Sequence, residues 1–173
     1  MKRQETRQIA FRALLVALSL VLLHIAVLLP SGRLGMTAIA GLVPVAAVVS
    51  YGLPSGVQCY ICTAIMAFIL IPDKGLTTLY CLFLGLYPIV KGGVERLRRL
   101  PLEIFLKLFF FNGILTLLLF FMKQILYAAV PLESIPQWLV YLGGNGIFLV
   151  YDFGISQVIA VCGKRILPLL RKR

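Results

Sequence analysis

Charge is scarce in this sequence, and acidic charge most of all: six Asp and Glu stand against 17 Lys and Arg in 173 residues. Only 13% of the side chains are charged while 61% are hydrophobic, too few polar groups to cover a water-soluble domain, so the solvent for most of the surface must be lipid. Histidine and tryptophan occur once each, at His24 and Trp138. There is no HExxH, no Gly-x-Ser-x-Gly and no P-loop, and the lone histidine has no nucleophile at a motif spacing. These absences argue against an intramembrane enzyme and against ATP hydrolysis by this chain. The four cysteines, Cys59, Cys62, Cys81 and Cys162, fall in or beside apolar runs rather than in loops, which leaves no disulfide framework. Cys59-x-x-Cys62 has redox or metal spacing, but no second Cys or His pair accompanies it, and small packing residues are the simpler reading.

What is present instead is a series of apolar runs at 8–29, 34–52, 54–71, 76–90, 104–129 and 136–162. Each meets the length rule for crossing ~30 Å of hydrocarbon, within the latitude that tilt allows. Between them stand residues that do not continue a helix comfortably: Pro30 to Gly32, Pro54 to Gly56, Pro72 to Gly75, Gly92 and Gly93 through Pro101, and Pro131 to Pro136. The first run, from Ile9 to Leu29, exceeds the ~7–15 residues of a signal-peptide core and is followed by no A-x-A site, so it reads as a retained span.

A net charge of +11 would suggest nucleic acid in a soluble protein; here its placement reads as topology. With six spans and the N-terminus inside, 13 of the basic residues fall on the inner side, clustered at 2–12, 91–99 and 164–173. Only Arg33, Lys74 and Lys123 fall outside, while Lys107 lies within the start of the fifth span. Short cytoplasmic loops concentrate Lys and Arg. The expectation is therefore an all-α membrane protein, a single integral domain of six transmembrane helices with both termini cytoplasmic and no nucleic-acid partner.

The first span contains Ala13-Leu-Leu-Val-Ala17, two small residues on one helix face that admit another helix closely, either within the protein or from a partner. Small residues also crowd the second span (Gly35, Ala38, Ala40, Gly41, Ala46, Ala47), where Pro44 is expected to kink the helix. A basic start, this Ala-x-x-x-Ala pair in the first of six helices, very short loops and the overall length together resemble the substrate-binding S component of energy-coupling factor (ECF) vitamin transporters. The resemblance implies several things: membership of a bacterial or archaeal cell membrane; a small nutrient such as a vitamin as substrate; and no cofactor in this chain. It further implies that Ala13 and Ala17 face a transmembrane coupling subunit, driven by two cytoplasmic ATPases. No signature of a particular vitamin subfamily is present.

The resemblance also implies a substrate pocket toward the outer face, built from the first loop and the last three helices. Trp138, Tyr141, Gly143, Gly144, Asn145 and Gly146 open the last span, and three glycines in four positions weaken a helix and expose backbone. Asn145 lies ~14 Å below Pro136, and Asn112 ~12 Å along the fifth span, both near mid-membrane at 1.5 Å per residue. This stretch reads either as ligand-lining or as tight packing with an interhelical hydrogen bond. His24, Tyr80 and Trp138 are further candidates, with a helix-helix hydrogen bond for the first and interfacial anchoring for the two aromatics as the plain alternatives. Toward the other face stand Lys91, Glu95, Lys107 and Asp152. An ion pair between Lys107 and Asp152 would serve as a lock between helices or as part of substrate or proton coupling. The alternative for the whole chain is a structural scaffold resembling the rod-shape-determining membrane protein, with partner-binding faces and no small-molecule site.

Overall fold

The computed structural model describes residues 2–95, 99–121 and 136–171. These are helical, without a strand among the described residues, and include six helical stretches long and apolar enough to cross a bilayer. The chain forms two compact units, Met1–Gly93 with Gln157–Arg173, and Val94–Ser156.

In the first unit, α1 (Lys2–Leu28), α2 (Arg33–Tyr51) and α3 (Leu53–Leu70) are sequential neighbours packed on one another. Helix α1 stops one residue short of the Leu29-Pro30 step, since a residue before proline is pushed out of the helical region. Gly32, at φ 79°, then turns the chain into α2 in a left-handed conformation that suits glycine. Between α2 and α3 the break falls on Gly52 alone, at φ 88°, with its N–H bonded to Val48 O at 2.9 Å and its carbonyl accepting from Ser55 N at 3.1 Å. Pro54 and Gly56, expected to mark this break, lie inside α3: proline is accommodated in a first turn because no intrahelical partner for its N–H is needed there. Pro44 likewise sits within α2, and α3 ends at an extended Ile71 before Pro72.

The fourth span is composite. Asp73 caps α4 (Lys74–Leu79) by accepting the Leu76 N–H at 3.0 Å, a π-helical turn follows at Tyr80–Leu84, and α5 (Tyr87–Val94) completes it. The π turn is closed by Gly85 N donating to Tyr80 O at 2.7 Å, and the Tyr60 hydroxyl donates to the Cys81 carbonyl at 2.5 Å. This irregularity is tolerable in an apolar setting because another helix supplies the donor. Two close approaches seat it: a methyl on Gly41 would stand 2.3 Å from the Leu84 carbonyl oxygen, and one on Gly85 2.8 Å from the Tyr80 ring. The core beneath the turn joins Leu23, Ala26, Ala40, Ala67, Ile71, Leu76 and Tyr80, while Leu15, Ala47 and Cys59 form a second cluster.

The second unit is built on α6 (Leu100–Phe121) and the first part of α7 (Gln137–Arg171). Helix α7 runs unbroken through Gly143, Gly144 and Gly146, although those glycines were expected to loosen it. Each Gly costs ~1 kcal/mol relative to Ala in a helix, whereas an open peptide group in hydrocarbon costs several, so the hydrogen-bond ladder wins.

Candidate functional site

The polar side chains of the second unit converge on one seam. On α7, Tyr141, Asn145, Phe148 and Asp152 recur at intervals of four, three and four, which puts them on one face of the helix. Opposite them α6 presents Thr116, Asn112, Phe111 and Lys107, running in the reverse direction.

At the middle of the seam two amides bond reciprocally: Asn112 Nδ2 donates to Asn145 Oδ1 at 3.0 Å, and Asn145 Nδ2 donates back to Asn112 Oδ1 at 3.1 Å. The second proton of each amide goes to its own helix, Asn112 to Leu108 O at 2.8 Å and Asn145 to Tyr141 O at 2.7 Å. All four donors are thereby used, leaving acceptor lone pairs as the spare capacity. One turn along, Thr116 Oγ1 and Tyr141 Oη lie 2.8 Å apart. Thr116 gives its single proton to Asn112 O at 2.7 Å, so the tyrosine hydroxyl must be the donor in that contact.

On the other side of the amides the Phe111 and Phe148 rings stack, with centroids 4.5 Å apart and planes 12° from parallel. Gly144 lies against the same aromatic: a methyl there would approach Leu115 Cδ2 to 3.2 Å and Phe111 Cζ to 3.4 Å. Beyond the stack, Lys107 Nζ bridges two carboxylates, donating to Glu95 Oε1 at 3.0 Å and to Asp152 Oδ2 at 3.3 Å. The Lys107–Asp152 pairing expected from the sequence is thus present, with Glu95 as a second acceptor. Its side chain is 11% exposed, so the ammonium is largely withdrawn from its surroundings and held by these anions.

Of the sequence-derived candidates, Asn112, Tyr141, Gly144, Asn145, Lys107 and Asp152 therefore share this seam. Trp138 does not: it is 67% exposed, as an interfacial anchor would be. Tyr80 and His24 belong to the first unit. Tyr80 is fully buried at the π turn, 6.4 Å from the Tyr60 ring. His24 lines an open groove with Leu20, Val21, Ile25, Leu70 and Ile71, none of which offers it a polar side chain. Ala13 and Ala17 are exposed on α1, on the opposite side from the buried Leu15 and Ser19. Among the described residues, internal packing does not consume them. Thr116 was missed by sequence reading; its place four residues after Asn112, on the same helix face, was the available signal.

Six helices long and apolar enough to cross a bilayer, two of them joined by a partly exposed polar seam, are the architecture expected of a multi-pass membrane protein. No family model, curated protein or solved structure matches the chain.

Proposed function

We propose that this chain is the substrate-binding membrane subunit of an ECF-type, ATP-driven importer for a small polar nutrient such as a vitamin. In this reading it resides in a bacterial or archaeal cell membrane with both termini cytoplasmic. The observation that carries the reading is the partly exposed polar seam of Asn112, Thr116, Tyr141 and Asn145 inside two spanning helices. Hydrogen-bonding groups at this depth are costly unless they serve a partner or a ligand. The mutual amide bonds supply donors and acceptors that a polar ligand could take over, a small cost because interhelical hydrogen bonds in membranes average only ~0.6 kcal/mol. The exposed Ala13 and Ala17 fit close docking of a coupling helix, and ATP hydrolysis would fall to partner chains. Capture from outside and tilting of the whole subunit would then move the nutrient inward.

The completeness of the amide pairing favours a second reading, a membrane scaffold in which the seam only locks α6 to α7. Replacing both amides at once separates the two, since Asn112→Leu with Asn145→Leu leaves no orphaned partner and should change thermal stability by no more than ~1–2 kcal/mol. Native mass spectrometry of the wild type is expected to show a co-purifying small molecule that the folded double variant lacks. A wild type that carries no small molecule while its partner complex is intact moves the assignment to the scaffold.

A further inference from the structure

The groove around His24 is apolar apart from the histidine itself. It lies between α1 and the end of α3, has a volume of about 390 Å³, and is walled by Leu20, Val21, Ile25, Leu70 and Ile71. At its rim, Lys74 Nζ donates to the carbonyls of Ile71 at 3.0 Å and Phe68 at 2.5 Å, so the ammonium is tied directly to a groove-lining residue and keeps one proton to give. Asp73, the residue before Lys74, meets Arg33, whose Nε donates to Leu29 O at 2.9 Å and whose guanidinium lies 3.7 Å from that carboxylate. Asp73 also accepts the Leu76 N–H, so Arg33 and Asp73 offset each other and, among the described residues, the surplus beside the groove is the positive charge of Lys74. His24 stands one turn before the end of α1, ~6 Å along the axis from Leu28 at 1.5 Å per residue, which is a step below the rim.

We propose that this groove holds one anionic phospholipid of the bilayer: its phosphodiester at Lys74, an ester carbonyl within reach of the His24 ring, and an acyl chain along Val21, Ile25 and Leu70. The order of cation, single ring donor and apolar wall matches the order of phosphate, ester and hydrocarbon in such a lipid. One uncompensated positive charge selects a lipid with net charge −1 over a zwitterionic one, whose own ammonium would be repelled from the rim. Near a membrane surface one Lys is worth about a five-fold preference at moderate salt.

The test uses the full chain, delipidated and returned to nanodiscs containing equal amounts of phosphatidylglycerol and phosphatidylcholine with identical acyl chains, and native mass spectrometry of the lipid retained on release. The wild type is expected to keep one phosphatidylglycerol about five-fold over phosphatidylcholine, and Lys74→Gln, which can still donate to the Ile71 and Phe68 carbonyls, to lose that preference without a change in melting temperature. Val21→Phe, which fills the groove with apolar bulk, is expected to displace both lipids. Equal retention of the two lipids by the wild type overturns the proposal. So does a Val21→Phe protein that is folded and carries phosphatidylglycerol as before, or a wild type whose groove is covered by a second copy of the chain, seen as a dimer mass free of lipid.

Discussion

Lys107 holds together two carboxylates of the second unit. Its ammonium links a carboxylate that is 38% exposed, Glu95, to one that is 20% exposed, Asp152, and so joins α6 to α7. Removing the cation takes a shared donor from both carboxylates in a poorly polarisable setting, where breaking a buried pair is far costlier than never having had it. Lys107→Met should therefore lower stability by about 2–3 kcal/mol, less than a fully buried pair because Glu95 reaches solvent. Replacing the more buried anion as well, in Lys107→Met with Asp152→Leu, should recover most of that loss. Denaturant titration of the variants in detergent micelles checks this; a double variant no more stable than Lys107→Met alone would show that the lost Asp152 bond is not what costs the energy. Asp152→Asn, which keeps an acceptor, should cost least.

At the scale of the element, the first unit depends on where glycine lets backbones meet. Gly41 faces backbone, with the Leu84 carbonyl carbon 2.7 Å from where a methyl would sit, whereas Gly56 faces a side chain, Val48 Cγ2, at 2.1 Å. The two alanine substitutions should consequently behave differently. Gly41→Ala must displace the π turn itself and should cost about 2–3 kcal/mol whatever its neighbours, in the range of overpacked cores. Gly56→Ala should cost a similar amount alone and be largely rescued by Val48→Ala, which removes the clashing methyl. In α7 the sign reverses: among the described residues nothing lies within 4 Å of a methyl at Gly143 or Gly146, so alanine there should stabilise the helix by up to ~1 kcal/mol each. Thermal unfolding in one detergent ranks all of these, and a rescue of Gly41→Ala by trimming a side chain would contradict the contact on which the argument rests.

For the whole molecule the testable property is which side of the membrane each end faces. Arg33 and Lys74 lie at the same end of the first unit, joined through the Arg33–Asp73 contact. On a background without native cysteines, Arg33→Cys and Lys74→Cys should react with an impermeant thiol reagent in intact cells, while Arg99→Cys should react only after the membrane is opened. External labelling at position 99 would reverse or dismantle the six-span topology. A second whole-molecule prediction concerns the exposed alanines: Ala13→Leu with Ala17→Leu should leave the isolated protein folded, because both side chains already point away from the core, yet weaken co-purification with a membrane partner by blocking close helix approach. Unchanged recovery of the partner would remove this face from consideration as a docking surface.

Composition and the spacing of apolar runs determined that the described residues are helical and include six helices long and apolar enough to cross a bilayer, because hydrocarbon leaves backbone groups no partner except within a helix. Charge placement supplied the Lys107–Asp152 pairing for a similar reason, since an ion inside a span must find its opposite. Helical period alone places Tyr141 and Asn145 on one face. Only the tertiary structure decided the rest. That Asn145 meets Asn112, that Glu95 joins the Lys107 pair, and that Tyr80 is buried at a π turn while Trp138 points outward depend on the rotation and register of helices, which apolar residues on every face of a membrane helix do not encode. The glycines show the same limit: Gly41, Gly52, Gly85 and Gly143 look alike in sequence, and one touches a carbonyl, one carries a positive φ, one lies under a ring and one faces open space. What distinguishes them is the neighbour each backbone meets after packing, a property of pairs of segments distant in the chain rather than of any local pattern.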